Sequence, residues 1–575
     1  MDDQKPVKMT TAGKIIILFV IVAIVLVGLY LARNIIFPKS SQTLSKVDMD
    51  KFKKMEVEKV SPQGITTVSE YSYVPSSILP PVKGTSNYKW DSKEKIVKFP
   101  INVWIGWLPI VAANHGFKAN KESIFYQKYG FQVELTLIDN PITARDAFAS
   151  GETHVLWGTL DMMVLFTPEL MKDSRTAPRI FQQIDWSNGG DGIVSRETIT
   201  SINDLKGRTI VLAQNSPSEY FLYNLLIFSG IQPSAIKPKY TTDAFQAATA
   251  FVAEPSIDAC VSWAPDIYNI EKKVKGTKIL TTTSQANRVI ADVWAMRADF
   301  ARDHPEVAKG LVAGIFYAMD QLKDPVFLDK AMKWMATGYK MKPEEIKGML
   351  NDAHSTNFAE NKDFFLNRNN PTNFENTWNN ITLVYKELNR IKGDVTFDKV
   401  MDFSIIQQLD KDGIFKHQKD EYVTKHVSTS YSKLQAEKPL LVQTIRISFY
   451  PNSANIHEPQ HDEFGKPVAD TKYDPEADKI IETVGRLAKQ YDRATILITG
   501  HTDSSMKGTV NPILVQKLSD DRAKAVKEAL IKKYKFPPEK FVTKGLGWDQ
   551  PSNPNDPLNQ PLNRRVEISV YPAEQ

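Results

Sequence analysis

Three short segments near the C-terminal end hold the residues best suited to bind something by charge. They are Gly500-His501-Thr502-Asp503, Leu518-Ser519-Asp520-Asp521-Arg522-Ala523 and Asn563-Arg564-Arg565-Val566-Glu567-Ile568. The first puts an acid just past an apolar strand, the second puts an arginine on a helix, and the third sends a basic pair into another strand. A carboxylate and a guanidinium presented together suit a zwitterion: Asp503 would accept from an ammonium, and Arg522 offers a two-pronged fork to a carboxylate. Asn511-Pro512 has the N-cap and first-turn residues of a helix. From there Leu514, Leu518, Arg522, Val526 and Leu530 advance by four, which keeps them roughly to one face, with Arg522 at the edge of the stripe that docks on a sheet. The same spacing also suits Asp503 and Arg522 pairing with each other as a bridge within the fold.

A second set lies in the middle of the chain. Asn215-Ser216-Pro217-Ser218 precedes a helix, so hydroxyls and free backbone amides gather at its positive end, a ready anion site. Trp107 and Trp263 each follow a strand, and Gly158-Thr159-Leu160-Asp161 is a strand-to-helix turn whose backbone can approach a ligand. The candidate contacts are Trp107, Thr159, Asp161, Asn215, Ser216, Ser218 and Trp263. Ser216 and Ser218 would serve equally as helix caps, the tryptophans as core, and Asp161 and Asp191 as hinge or turn residues. The single cysteine, Cys260, sits among Ile257, Ala259 and Val261 as a buried strand residue, so no intrachain disulfide or all-cysteine metal site is possible. His115, His154 and His501 are scattered, and no Ser–His–Asp or paired-carboxylate arrangement stands out. No metal, cofactor or catalytic residue is expected.

The elements that must position these groups follow from hydrophobic period. Strands are expected at 101–106, 131–138, 153–157, 208–213 and 258–262, with helices at 108–116, 143–149 and 217–229. Strands alternating with helices argue a mostly parallel sheet, and two such sets in tandem suggest two α/β lobes with a cleft between them. Residues 301–422 read as largely helical, with an Asn-rich stretch at 357–380 that the periodicity does not place. Residues 424–440 form a polar linker. The last unit, 441–575, reads as α+β, with strands at 444–449, 495–499, 540–545 and 566–570, and helices at 477–490 and from 512.

The chain has 575 residues and a formal net charge of +5, with lysines and acids interleaved, so nothing calls for a nucleic-acid partner. Residues 15–32, IIILFVIVAIVLVGLYLA, carry no charge and would span roughly 27 Å as a helix, enough to cross a bilayer. No cleavage pattern follows, so an uncleaved anchor is expected. Residues after it, rich in Pro, Ser and Thr, suggest a tether.

The three C-terminal segments together resemble the OmpA-like peptidoglycan-binding domain. That resemblance implies that Asp503 and Arg522 bind the diaminopimelate of the stem peptide, with Thr502, Arg564 and Arg565 around the pocket. Where the family carries Asn three residues before the Leu of its LSxxRA segment, this chain has Val515. Residues 146–152, 158–161, 189–194, 204–208 and 258–265 resemble, in order, the ABC-type periplasmic solute-binding proteins of the taurine, sulfonate and nitrate group. The expected fold is therefore an α/β two-lobed periplasmic-binding-protein fold (type II) plus a C-terminal α+β OmpA-like domain and one N-terminal transmembrane helix. The expected order is a cytoplasmic tail (1–14), anchor (15–36), tether (37–95), two-lobed domain (96–423), linker (424–440) and wall-binding domain (441–575).

The resemblances imply a non-enzymatic receptor on the periplasmic side of an inner membrane, gripping peptidoglycan. It would bind a small anionic or zwitterionic ligand, with a membrane-protein partner possible. Two other classes compete. A stator-type ion-channel subunit needs an acid in its span, and residues 15–32 have none. A thiamine-pyrimidine-synthase-like enzyme needs a cysteine-rich motif, and the chain has one cysteine.

Overall fold

Two strands that change lobe organise the middle of the molecule. In the computed structural model, which describes residues 64–572 apart from 77–78, 394, 448, 450–452, 457–459, 462–466 and 470–475, lobe 1 is built on β1 (Ile96–Ile101), β2 (Gln132–Leu137), β3 (Val155–Thr159) and β4 (Pro178–Ser187). The chain then passes to lobe 2, comprising β5 (Asp191–Arg196), β6 (Thr209–Ala213), β7 (Lys237–Thr241), β8 (Ala259–Trp263) and β9 (Thr277–Thr282). It returns through β10 (Ala291–Arg297) and the short β11 (Ala353–Ser355). Lobe 2 has the order β7-β6-β8-β5-β9, and lobe 1 the order β11-β4-β10-β3, with the parallel pair β1-β2 alongside. The amide of His154 donates to the carbonyl of Lys98, which sets β1 beside β3. In each lobe the strand arriving from the other lobe, β10 or β5, runs antiparallel to both its neighbours. Residues 188–190 and 283–290 are thus the two crossovers of a hinge. The expected anchor and tail lie outside the described residues, among which no helix is long and apolar enough to cross a membrane.

One expected strand is displaced. Residues 101–106 leave the sheet after Ile101 and enter a 3₁₀ turn, Ile105–Trp107. Their backbone finds side chains from far away instead of a neighbouring strand. The hydroxyl of Tyr339 binds the carbonyls of Asn102 and Trp104, both at 2.8 Å, and the carboxylate of Asp139 accepts from the amide of Val103 at 2.8 Å.

Residues 64–95, expected as tether, lie along both lobes with fixed partners. Thr67 donates twice to Asp266, Tyr71 and Tyr73 both donate to Glu254, and the amide of Val74 bonds the carbonyl of Tyr240. Further on, the Arg145 guanidinium takes the carbonyls of Pro80 and Pro81, and Trp90 packs on His154, Phe300 and His304. Aromatic rings inside a Pro/Ser/Thr-rich stretch bury area that a free spacer leaves in water.

The Asn-rich stretch is a set of caps and ties. Asn357 and Asn373 cap helices Phe358–Leu366 and Phe374–Glu387, and Asn361 bonds both the amide and the carbonyl of Gln183 in β4. Helix Phe374–Glu387 touches both lobes, with Asn380 donating to the Tyr220 hydroxyl and Tyr385 to Asp161.

In the C-terminal unit the sheet order is Leu441–Ile445, Val566–Tyr571, Thr495–Gly500, Phe541–Gly545, packed with helices Ala477–Gln490 and Pro512–Tyr534. Asn511 caps the second helix through the Ile513 amide, with Pro512 in the first turn. Its buried face is Val515, Ser519, Arg522, Ala523, Val526 and Leu530, while Leu514 is 60% exposed. A step of four overshoots the helical period by about 40°, so a row of such steps rolls off the face it started on.

Candidate functional site

The strand Thr495–Gly500 delivers its loop to one end of the C-terminal sheet, where the ladder continues for two residues. The amide of His501 bonds the Arg565 carbonyl, and that of Thr502 the Gly547 carbonyl. Asp503 follows, almost fully buried. Its carboxylate accepts from the Ser505 amide at 2.8 Å and from Arg564 Nε. Burial acts to raise its pKa, but the bonds from Ser505 and Arg564 outweigh it and hold the carboxyl below the usual range.

Arg522 stands near the same acid without bonding it. Its Nε donates to the Ser453 carbonyl at 3.0 Å, and its guanidinium lies over the Phe449 ring, 5.0 Å from the centroid. Burial, then the nearby Arg564, push its pKa down to about 10, with Asp503 acting the other way. The structure therefore brings Asp503, Arg522 and Arg564 together and gives the acid to Arg564. Two guanidiniums against one carboxylate leave positive charge for an anionic group.

Thr502 is buried, and its hydroxyl has no partner among the described residues. Arg565 turns away to Glu567, at 2.7 Å, and to the Gln550 carbonyl. Val515 is core. Asn563 positions the loop before Arg564, accepting from the Ser552 amide and donating to the Asp556 and Asn559 carbonyls. The NRR spacing carried that signal.

Between the lobes, the helix start at Asn215 to Ser218 is filled by the chain itself. The Asn215 amide donates to Glu219 Oε2 at 2.7 Å. Arg390, just past helix Phe374–Glu387, bonds Asn215 Oδ1 and pairs with Glu219 at 3.4 Å. The Ser216 hydroxyl is turned back to the Ala213 carbonyl. The expected anion site thus holds an internal carboxylate and its arginine, as a buried charge requires a partner. Trp107 belongs to the core of lobe 1, its indole N–H bonded to Asn102.

Sequence reasoning named Asp161 and Asp191 but missed Asp185, Asp292 and Asp352 around that point. In the sheet of lobe 1, Asp292 lies directly opposite both Thr159 and Asp185, and Asp185 accepts from the Trp104 indole at 3.2 Å. Asp191 lies opposite Trp263 in lobe 2. Asp352 accepts from Tyr268 at 2.8 Å, and its Cβ closely approaches Gly190. Burial pushes Asp161, Asp191 and Asp352 up to about 7 and Asp185 to about 8, and it raises Asp292. Repulsion from neighbouring carboxylates adds to this for Asp161, Asp185, Asp191 and Asp292. Asp191 Oδ1, Asp292 Oδ2, Asp352 Oδ2, Ser218 Oγ and Trp263 Nε1 are buried without a partner among the described residues. The available signal was a lone acid inside an apolar run, Ile184-Asp185-Trp186 and Ala291-Asp292-Val293. A separate cavity of about 750 Å³, lined by Arg179, Phe181, Arg302 and Asp402, holds none of these residues.

Two family models match the chain: NMT1/THI5 like over residues 114–325, and the OmpA family over residues 449–564. The taurine-binding periplasmic protein of Escherichia coli is 28% identical over 200 residues, 33% of this chain and 58% of that protein. The outer membrane protein Omp38 of Acinetobacter baumannii is 32% identical over 127 residues, 22% of this chain and 30% of that protein. The chain thus spans less than two thirds of either relative. Similar solved structures include the aliphatic sulphonate binding protein SsuA from Escherichia coli (15% identity, TM-score 0.43, 55% of this chain and 99% of that one). They also include the nitrate-binding protein NrtA from Synechocystis PCC 6803 (15%, TM-score 0.43, 55% and 89%) and the desulfurization enzyme DSZB (15%, TM-score 0.39, 56% and 100%). The chain joins an NMT1/THI5-like domain with taurine-binding homology to an OmpA domain with Omp38 homology.

Proposed function

We propose that this fusion is a non-catalytic receptor, anchored in an inner membrane by residues 15–32, exposed to the periplasm, and held to peptidoglycan by its C-terminal domain. The wall grip rests on the buried Asp503 beside Arg522 and Arg564. That trio would take the amine and carboxylate of diaminopimelate, with Arg522 and Arg564 on the carboxylate. Retention of the full chain on purified sacculi tests it. Asp503→Ala and Arg522→Ala should each release the protein, and retention equal to the parent would sink the grip.

The observation that carries the receptor half is the set of unpartnered buried oxygens on Asp191, Asp292 and Asp352. Leaving such a group unsatisfied costs about 1–3 kcal/mol, and an ammonium supplies the donors that these oxygens lack. The ligand class this favours is a zwitterion whose amine enters the carboxylates, over a purely anionic molecule. Thermal-shift measurements with taurine and with ethanesulfonate isolate the ammonium. Taurine should raise the melting temperature and ethanesulfonate should not; equal shifts would remove the amine from the reading. Mass spectrometry of bound ligand should recover it unaltered, and a chemically modified product would overturn the non-catalytic assignment.

A further inference from the structure

The hinge of the two-lobed unit is held from outside by the C-terminal domain. That domain touches the second crossover directly, and Tyr422 ties that crossover to the first. Within the hinge, the Thr283 hydroxyl accepts from the Gly189 amide at 2.9 Å and lies 2.7 Å from the Ser187 hydroxyl, which donates to Asp191. Outside it, the Tyr422 hydroxyl reaches Asn188 Oδ1 in the first crossover (2.8 Å) and the Asn287 carbonyl in the second (3.2 Å). Tyr422 is itself fixed by stacking on His354, with ring centroids 4.0 Å apart.

The C-terminal domain completes the grip through the turn after helix Ala477–Gln490. The Arg288 amide donates to the Gln490 carbonyl at 3.1 Å, and the Asp492 amide to Asn287 Oδ1 at 3.0 Å. The Arg288 guanidinium bonds the Tyr422 carbonyl at 2.9 Å and lies 3.5 Å from Asp492. Asp492 also accepts from Thr424 and Lys489. Burial acts to raise its pKa, but Lys489, Arg288 and Lys540 hold the carboxyl down at about 2. The same turn leads into strand Thr495–Gly500, whose far end carries Thr502 and Asp503. A strand of that length spans about 20 Å and is hydrogen-bonded on both sides to its neighbours in the sheet.

We propose that the C-terminal domain is a clasp on this hinge, so that engagement at Asp503 and the angle between the lobes are coupled through one strand. The clasp rests on the hinge contacts alone; its coupling to the wall rests also on the proposed wall grip. The test places spin labels at Lys121→Cys on lobe 1 and Lys272→Cys on lobe 2 of the full chain, both exposed sites, with Cys260 left in the core. Interlobe distances are then read by pulsed electron resonance. Tyr422→Phe removes only the hydroxyl that ties the crossovers, and Arg288→Ala removes the guanidinium. Each should shift or broaden the distance distribution; if Arg288→Ala does not fold, Asp492→Asn, which removes the charge that the C-terminal domain sets beside Arg288, decides. Distributions identical to the parent would overturn the clasp. A muropeptide carrying diaminopimelate should shift the parent distribution and move Arg288→Ala and Asp492→Asn less. A muropeptide that binds by calorimetry without shifting the parent overturns the coupling. One that shows no binding heat removes the wall grip and the coupling with it, while the clasp is still judged by the variants alone.

Discussion

Asp503 has its own cationic partner in Arg564, so the acid and Arg522 can be removed independently and read separately. Arg522→Ala leaves Asp503 paired and strips the buried fork. Hydrogen bonds to charged groups contribute about 1.5–3 kcal/mol, so sacculus binding should weaken by about 10- to 100-fold. Arg522→Lys should recover little, because a point charge does not replace a planar fork. Asp185 gives a prediction of a different kind. Its carboxyl, raised by burial to about 8, holds its proton in the folded state where the unfolded chain has released it. Between the ordinary carboxylate range and that value the unfolded state binds fewer protons, so this group's contribution to stability falls as pH rises. Asp185→Asn carries no titrating proton. The ligand-free variant should therefore gain stability relative to the parent as pH rises from 4 to 8. Urea melts at several pH values check it, and a gap that stays constant with pH would refute it.

At the level of elements, the C-terminal helix lies so close to its sheet that two strand-end glycines leave no room for a side chain. A Cβ at Gly500 would lie 2.0 Å from the Ser519 carbonyl oxygen, and one at Gly545 would lie 2.3 Å from that of Gln516. Backbone cannot yield as a flexible side chain does. Gly500→Ala should thus cost at least about 1–3 kcal/mol in a urea melt. Gly84→Ala, with nothing within 4 Å of its Cβ, should stay within about 0.5 kcal/mol of the parent. Local signals such as these explain what was legible. The helix 477–490 was found with its bounds, and the strands at 208–213 and 258–262 within a residue, because apolar period and caps are written locally. The strand at 101–106 was misplaced because its backbone partners, Tyr339 and Asp139, are remote. Likewise Asp503, Arg522 and Arg564 could be read from a motif, whereas Asp161, Asp185, Asp191, Asp292 and Asp352 meet only once the strands have been ordered.

At the scale of the whole molecule, the described residues include elements that cross from lobe to lobe besides the hinge, among them the 64–95 strap and helix Phe374–Glu387, while Tyr422 ties the two crossovers to each other. Hinged proteins close by rotating rigid lobes about a few residues, and every additional crossing contact must shear or break when they do. Lobes braced in this way should move through a smaller angle than lobes joined by crossovers alone. The strength of the brace at the C-terminal domain can be measured. Arg288 and Asp492 are both buried, with side chains 8% and 6% exposed and 3.5 Å apart, and Lys489 also pairs with Asp492. Removing Asp492 should cost about 3–5 kcal/mol, because Arg288 is left charged in a dry interface, and removing Arg288 should cost less, because Lys489 stays on Asp492. Removing both should cost less than the sum, with an interaction energy of about 1–3 kcal/mol. A double-mutant cycle of Arg288→Ala and Asp492→Ala, followed by calorimetry, reads this directly. Because the pair joins the hinge to the C-terminal domain, the doubly substituted chain should also melt in two separated transitions where the parent melts in one. Strict additivity with a single shared transition would mean that contacts other than this ion pair hold the C-terminal domain to the hinge.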